Sequence, residues 1–120
     1  MSAYSFPKVE RLLDRREFQQ VFRQGKRYHS RNFIIVVKHH DEGTRRIGII
    51  TGKKVGKAHK RNRFKRLLRE FYRLNKDLFP SSSNIVVIVR PFTPLLSFKE
   101  IECELKKLLN DRVAPTYALR

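Results

Sequence analysis

The chain has 120 residues and a formal net charge of +17, with 28 Lys and Arg against 11 Asp and Glu. A hydrophobic share of 40% with 11% aromatics excludes a disordered basic tail, and a chain this long buries roughly two-thirds of its unfolded surface, so residues 1–120 are expected to form a single domain. So large a cationic excess points to nucleic acid as partner, ahead of an anionic membrane surface.

The first ten residues read as a polar, extended lead-in containing Pro7. Asp14 and Glu17 stand at capping-box spacing and Leu13 and Phe18 at staple spacing, which predicts a helix over Arg15–Gln24 with Phe18, Val21 and Phe22 on one side and Gly25 beyond its end. Residues 31–38 are β-branched with one aromatic, a strand; Asp41-Glu42-Gly43-Thr44 turns the chain, and Arg45–Thr51 reads as the strand's hairpin partner. Gly48 within it marks a bulge or a close backbone approach. No internal repeat is visible.

The next stretch, residues 53–76, holds eleven of the 28 Lys and Arg and one carboxylate, Glu70. Wound as a helix from about residue 60 to 75 or 78, it places Phe64, Leu67, Leu68, Phe71, Leu74 and Leu78 on one side. Asn62, Lys65, Arg66, Arg69, Arg73 and Lys76 fall on the other. Like charges one helical turn apart repel, so a face this uniformly positive is expected to meet a polyanion rather than water alone. Gly56 lets Lys53, Lys54, Lys57 and the helix's first amides face one anion. The loop is not a nucleotide-binding P-loop: three residues rather than four separate Gly52 and Gly56, and Ala58 stands where a Ser or Thr would hold magnesium.

Ser81-Ser82-Ser83-Asn84 is a turn, and residues 85–90 are a continuous apolar strand buried on both faces, ended by Pro91. Ser97 with Glu100 makes another capping box and Leu96 with Ile101 another staple, opening a last helix that stops near Asn110 and leaves a tail with Pro115. The order helix, hairpin, basic helix, strand, helix gives an α+β class, a single α-β sandwich with a mixed sheet.

Lys53-Lys54-Val55-Gly56 followed, after a short spacer, by Arg61-Asn62-Arg63-Phe64-Lys65-Arg66-Leu67-Leu68-Arg69-Glu70 resembles the RNR signature of the bacterial ribonuclease P protein family. Glu17-Phe18-Gln19-Gln20-Val21-Phe22 and Arg46-Ile47-Gly48-Ile49 are also similar to that family, and the resemblance covers most of residues 8–109. It implies a four-stranded sheet with a left-handed crossover around the RNR helix, where physics alone favours a right-handed one. It also implies the protein subunit of an endoribonuclease that removes the 5′ leader of precursor tRNA, a bacterial tRNA-processing ribonucleoprotein. In such an enzyme the catalytic groups and most of the Mg2+ belong to the RNA, and the protein contributes position and charge. The residues expected to bind the ribonuclease P RNA are Lys53, Lys54, Lys57, Arg61, Asn62, Arg63, Lys65, Arg66, Arg69 and Arg73. Phe18, Phe22 and Phe33 match family positions lining the cleft for the leader; where some members carry a tyrosine in the first strand, this chain has Val36. The alternative on composition is an RNA-binding protein without an enzyme, such as a ribosomal protein or an RNA chaperone.

The remaining chemistry-bearing residues predict no catalytic site and no bound metal. His29, His39, His40 and His59 lack ligand spacing with Cys103 or the carboxylates, and Glu100, Glu102 and Glu104 read as solvated helix positions. Cys103, alone and flanked by two glutamates, forms no internal disulfide and suits a reducing cytoplasm. The longest apolar runs span five residues, so neither a signal peptide nor a membrane span is expected. No protein partner is implied.

Overall fold

The computed structural model describes residues 5–113. Three helices, α1 (Arg15–Gln24), α2 (Ala58–Leu74) and α3 (Phe98–Leu108), enclose four strands, β1 (Lys26–His29), β2 (Phe33–His39), β3 (Arg45–Thr51) and β4 (Ser83–Val89). The strands form one mixed sheet in the order β1-β2-β4-β3. β4 runs antiparallel to β2 and parallel to β3.

That order corrects the expected hairpin. β2 and β3 are not neighbours, because β4 lies between them. Its apolar run, nearly all buried, is stable only with sheet on both edges and cover on both faces. The true hairpin joins β2 to β1, a fourth strand absent from the sequence reading, with Lys26 paired to Val37 and His29 to Ile34. α2 then becomes the crossover between two parallel neighbours.

Successive strand residues face opposite sides. Phe33, Ile35, Val37, Ile47, Ile85, Val87 and Val89 point to α2 and α3, where they meet Phe64, Leu68, Phe71, Tyr72, Ile101 and Leu105 in the main core. Val36 and Val86 point to α1 and meet Leu12 and Val21 in a smaller one. Gly48 sits in register with Val86, and a Cβ there would lie 2.4 Å from Phe18 Cζ. So the glycine marks a close approach, letting α1 lie down on the sheet.

The expected capping chemistry holds fully at α3 and in part at α1. Ser97 and Glu100 complete the box at α3, and Leu96 and Ile101 are both buried there. At α1, Asp14 accepts from the Arg16 amide at 2.8 Å, but Glu17 turns away to accept from Arg46 at 3.3 Å. The staple fails too, since Leu13 is 61% exposed and Leu12 is the buried residue. α3 ends at Leu108, close to the expected stop near Asn110, and the chain continues in a π-helical turn over Leu109–Val113. The lead-in is not wholly extended, with a 3-10 turn at Lys8–Glu10. Glu10 pins it, accepting from the Tyr72 hydroxyl and from Lys76 Nζ at 2.9 Å. Burial first, then this carboxylate, pushes the Tyr72 hydroxyl well above its ordinary pKa. Pro115 lies outside the described residues.

Glu104 also departs from the sequence reading. Rather than being solvated, it accepts from Asn32 N and Nδ2 at 2.7 Å each and from the Ser30 hydroxyl, latching α3 onto the β1–β2 turn. Hydrogen bonds to a charged acceptor are worth about 1.5–3 kcal/mol each. Glu104→Ala is therefore expected to destabilise the domain by about 3 kcal/mol, lowering Tm by on the order of 10 °C in a thermal melt followed by circular dichroism. A melt like that of the parent would show that the latch carries no weight.

Candidate nucleic-acid interface

The basic segment is held from below by its apolar residues. Val55 is buried, fixing the 3-10 turn Lys53–Val55 against the core, while Lys53, Lys54 and Lys57 are all exposed. Gly56 closes the turn at φ 150°, a backbone that other residues rarely adopt, and a Cβ there would lie 2.7 Å from Lys60 Cδ. α2 then begins with no side-chain cap and no acidic residue in its first turn. Its leading amides, with the positive end of the helix dipole, stay available to an anion.

Along α2, Phe64, Leu68, Phe71 and Tyr72 are buried and orient the helix; Tyr72 was missing from the expected stripe, and Leu74, included in it, is 42% exposed. The opposite face carries Asn62, Arg63, Arg66 and Arg69, all exposed, with Lys65 half-buried. His59, Asn62, Arg63 and Arg66, spaced as one helical face, line a shallow hollow; His59 was not among the sequence candidates, though that spacing pointed to it. Arg61 is half-buried, with a buried Nε that has no hydrogen-bond partner. Arg73 differs from the other candidates. It donates to Glu70 at 2.5 and 3.2 Å, and that hydrogen bond holds the Glu70 carboxyl below its usual range, so Arg73 is an ion-pair partner first.

On the other side of the sheet, α1 leaves part of the surface open. Ile34, Ile88 and Ile50 lie in one row across β2, β4 and β3. They are only partly buried, as are Phe18 and Phe22, which pack against the same cluster. Phe22 edges the cleft with the Arg27 guanidinium 5.8 Å from its ring centre. Arg27 pairs with Val36 and His29 with Ile34, so β1 lines this rim with polar and cationic groups that sequence reasoning did not single out. Phe33 is no part of the cleft. It is fully buried and meets Phe64 edge-on at 6.4 Å on the opposite face, because its parity along β2 is that of Ile35, not Val36. Val36 is fully buried too, beneath α1.

The two surfaces meet at the β3 edge. Arg69 of α2 lines one hollow there with Phe18, Gly48 and Ile49. None of the residues lining that hollow is acidic. Among the described residues, no helix is long and apolar enough to cross a membrane, and no three His, Cys, Asp or Glu side chains gather to hold a metal ion.

Comparison with known proteins gives a consistent result. The family model for ribonuclease P matches residues 6–112. The ribonuclease P protein component of Desulforapulum autotrophicum is 42% identical over 110 residues, 92% of this chain and 94% of that one. That of Syntrophus aciditrophicus is also 42% identical over 110 residues, covering 92% of each. Among solved structures, the RNase P protein of Staphylococcus aureus superposes with a TM-score of 0.79 at 28% identity, covering 90% of this chain and 97% of that one. The RNase P protein from Thermotoga maritima gives 0.74 at 35% identity, covering 83% and 94%. With its RNR helix, its mixed four-stranded sheet and a match over nearly all the described residues, the chain belongs to the ribonuclease P protein family.

Proposed function

We propose that this chain is the protein subunit of a bacterial ribonuclease P, working in the cytoplasm, and that it binds the catalytic RNA along α2 and the 5′ leader of precursor tRNA over the cleft beside α1. The observation that carries this reading is the exposed cationic face of Arg63, Arg66 and Arg69, continuous with Lys53, Lys54 and Lys57 and joined to the aromatic cleft through Arg69. Guanidinium forks take phosphate oxygens two at a time, and bases stacked on Phe22 are held whatever their sequence. That division suits a subunit that must accept many different leaders.

The chain's part in the reaction is positional. By offsetting phosphate repulsion it lets the RNA and the precursor approach at lower ionic strength of divalent cation. The protein's carboxylates are largely committed elsewhere: Glu10 to Lys76, Glu17 to Arg46, Glu70 to Arg73 and Glu104 to the hairpin turn. In this reading the magnesium chemistry belongs to the RNA.

The test is to mix the purified protein with a bacterial ribonuclease P RNA and a precursor tRNA at low magnesium and follow leader release. Cleavage at the mature 5′ end that depends on the protein is the expected result. Binding to both RNAs with no change in rate would replace this reading with that of an RNA chaperone.

A further inference from the structure

Beyond the end of β4 the chain makes a tight turn whose backbone is at odds with its sequence. The Thr93 amide donates to Arg90 O at 3.3 Å, which places Pro91 and Phe92 at the two central positions. Phe92 has φ +63°, a left-handed conformation that the second central position of such a turn normally reserves for Gly or Asn and that is an outlier for a bulky residue. The turn is nonetheless firmly held. Thr93 is buried and donates from Oγ1 to Arg90 O at 2.7 Å, and the Phe92 amide donates to Lys54 O at 3.0 Å.

The effect is to project the Phe92 ring into solvent, 79% exposed, with Leu95 60% exposed two residues beyond Thr93. Strain of this kind persists where the surroundings enforce it, and it concentrates at ligand-binding positions. The hydrogen bond to Lys54 O ties the Phe92 backbone to the Lys53–Val55 turn, and Arg90 at the turn's start is exposed as well. An exposed aromatic residue on a turn bonded to a segment that bears exposed lysines is complementary to a base on a phosphodiester backbone, where ring and charges are each satisfied. An apolar protein surface would cover the ring and leave the lysines without counter-charge.

We infer that Phe92 is a stacking platform for an unpaired nucleobase of the RNA whose phosphates lie along Lys53 and Lys54. The assignment rests on the proposed function, adding a contact that the RNR helix does not supply. Because Gly suits φ +63°, Phe92→Gly relieves the turn and leaves Tm equal to or above that of the parent. It is expected to weaken binding of a bacterial ribonuclease P RNA roughly 5- to 150-fold while leaving the salt slope unchanged, since no charge is removed. Phe92→Tyr restores the affinity and Phe92→Leu does not.

The chain has no tryptophan, so the F92W protein carries a single reporter. Its emission is expected to be quenched when RNA binds. Quenching by the ribonuclease P RNA alone places the base in that RNA; quenching only on adding a leader-bearing precursor tRNA places it in the leader. If the parent protein binds ribonuclease P RNA tightly but Phe92→Gly binds both RNAs equally well, this inference fails and the proposed function stands. If the parent prefers neither RNA over an unrelated structured RNA, both fail. An F92W emission that shifts on anionic lipid vesicles and ignores RNA also overturns the stacking role.

Discussion

Replacing Arg66 and Arg69 together with Gln is expected to weaken binding to a bacterial ribonuclease P RNA by about 100-fold, and to lower the slope of log affinity against log salt by roughly 1.5. Both side chains are exposed, and neither takes part in an ion pair among the described residues. Each is thus available to one phosphate. Two charge-assisted hydrogen bonds at about 1.5 kcal/mol give about 3 kcal/mol, and two neutralised phosphates account for the slope at roughly 0.7–0.9 each. The control is Arg73→Gln, which removes a cation already paired with Glu70 and is expected to move the slope far less. Filter binding across a salt series decides it: a double variant with the parent's slope would remove RNA from this face of α2.

Phe22→Ala gives the second large effect, and on a different partner. With the holoenzyme, affinity for a leader-bearing precursor tRNA is expected to fall by roughly 5- to 150-fold, the worth of one stacked base. Binding of tRNA without a leader, and of the ribonuclease P RNA itself, should not change. Phe22 is a cleaner probe than Phe18. The Phe18 ring fills the space that Gly48 leaves open, so truncating it loosens α1 from the sheet and mixes stability with recognition. Equal losses for substrates with and without a leader would show that Phe22 shapes the subunit and does not touch the leader.

The sequence reveals most where one residue's chemistry suffices. Helix starts at Asp14 and Ser97, the apolar stripe of α2 and the doubly buried run of β4 are all decided within a few residues. What escapes is decided by partners. Lys26-Arg27-Tyr28-His29 has no apolar alternation to announce a strand and forms one only because the edge of β2 is free to pair with it. The Asp41-Glu42-Gly43-Thr44 turn looks like a hairpin turn, and only the need of β4 for two neighbours shows otherwise. Some signals were present but not combined. Phe33 and Val36 differ in strand parity and so cannot line the same cleft, and Glu70 stands three residues before Arg73, the spacing of a helical ion pair. The resemblance to a family supplied the identity of the partner, which charge alone leaves open among polyanions.

The strand that completes this sheet is the last to be made and the one in the middle. Until residues 83–89 are in place, β3 is held only by a single bridge from Arg11 to Ile47, and β2 is paired only with the short β1. Pairings this distant in sequence, Phe33 with Val89 and His39 with Ser83, make assembly dependent on long loop closures and slow it relative to a helical bundle. A fragment ending after α2 would hold the cations of the Lys53–Lys57 segment and of α2 and none of their placement, because the helix that presents them is itself the loop being closed.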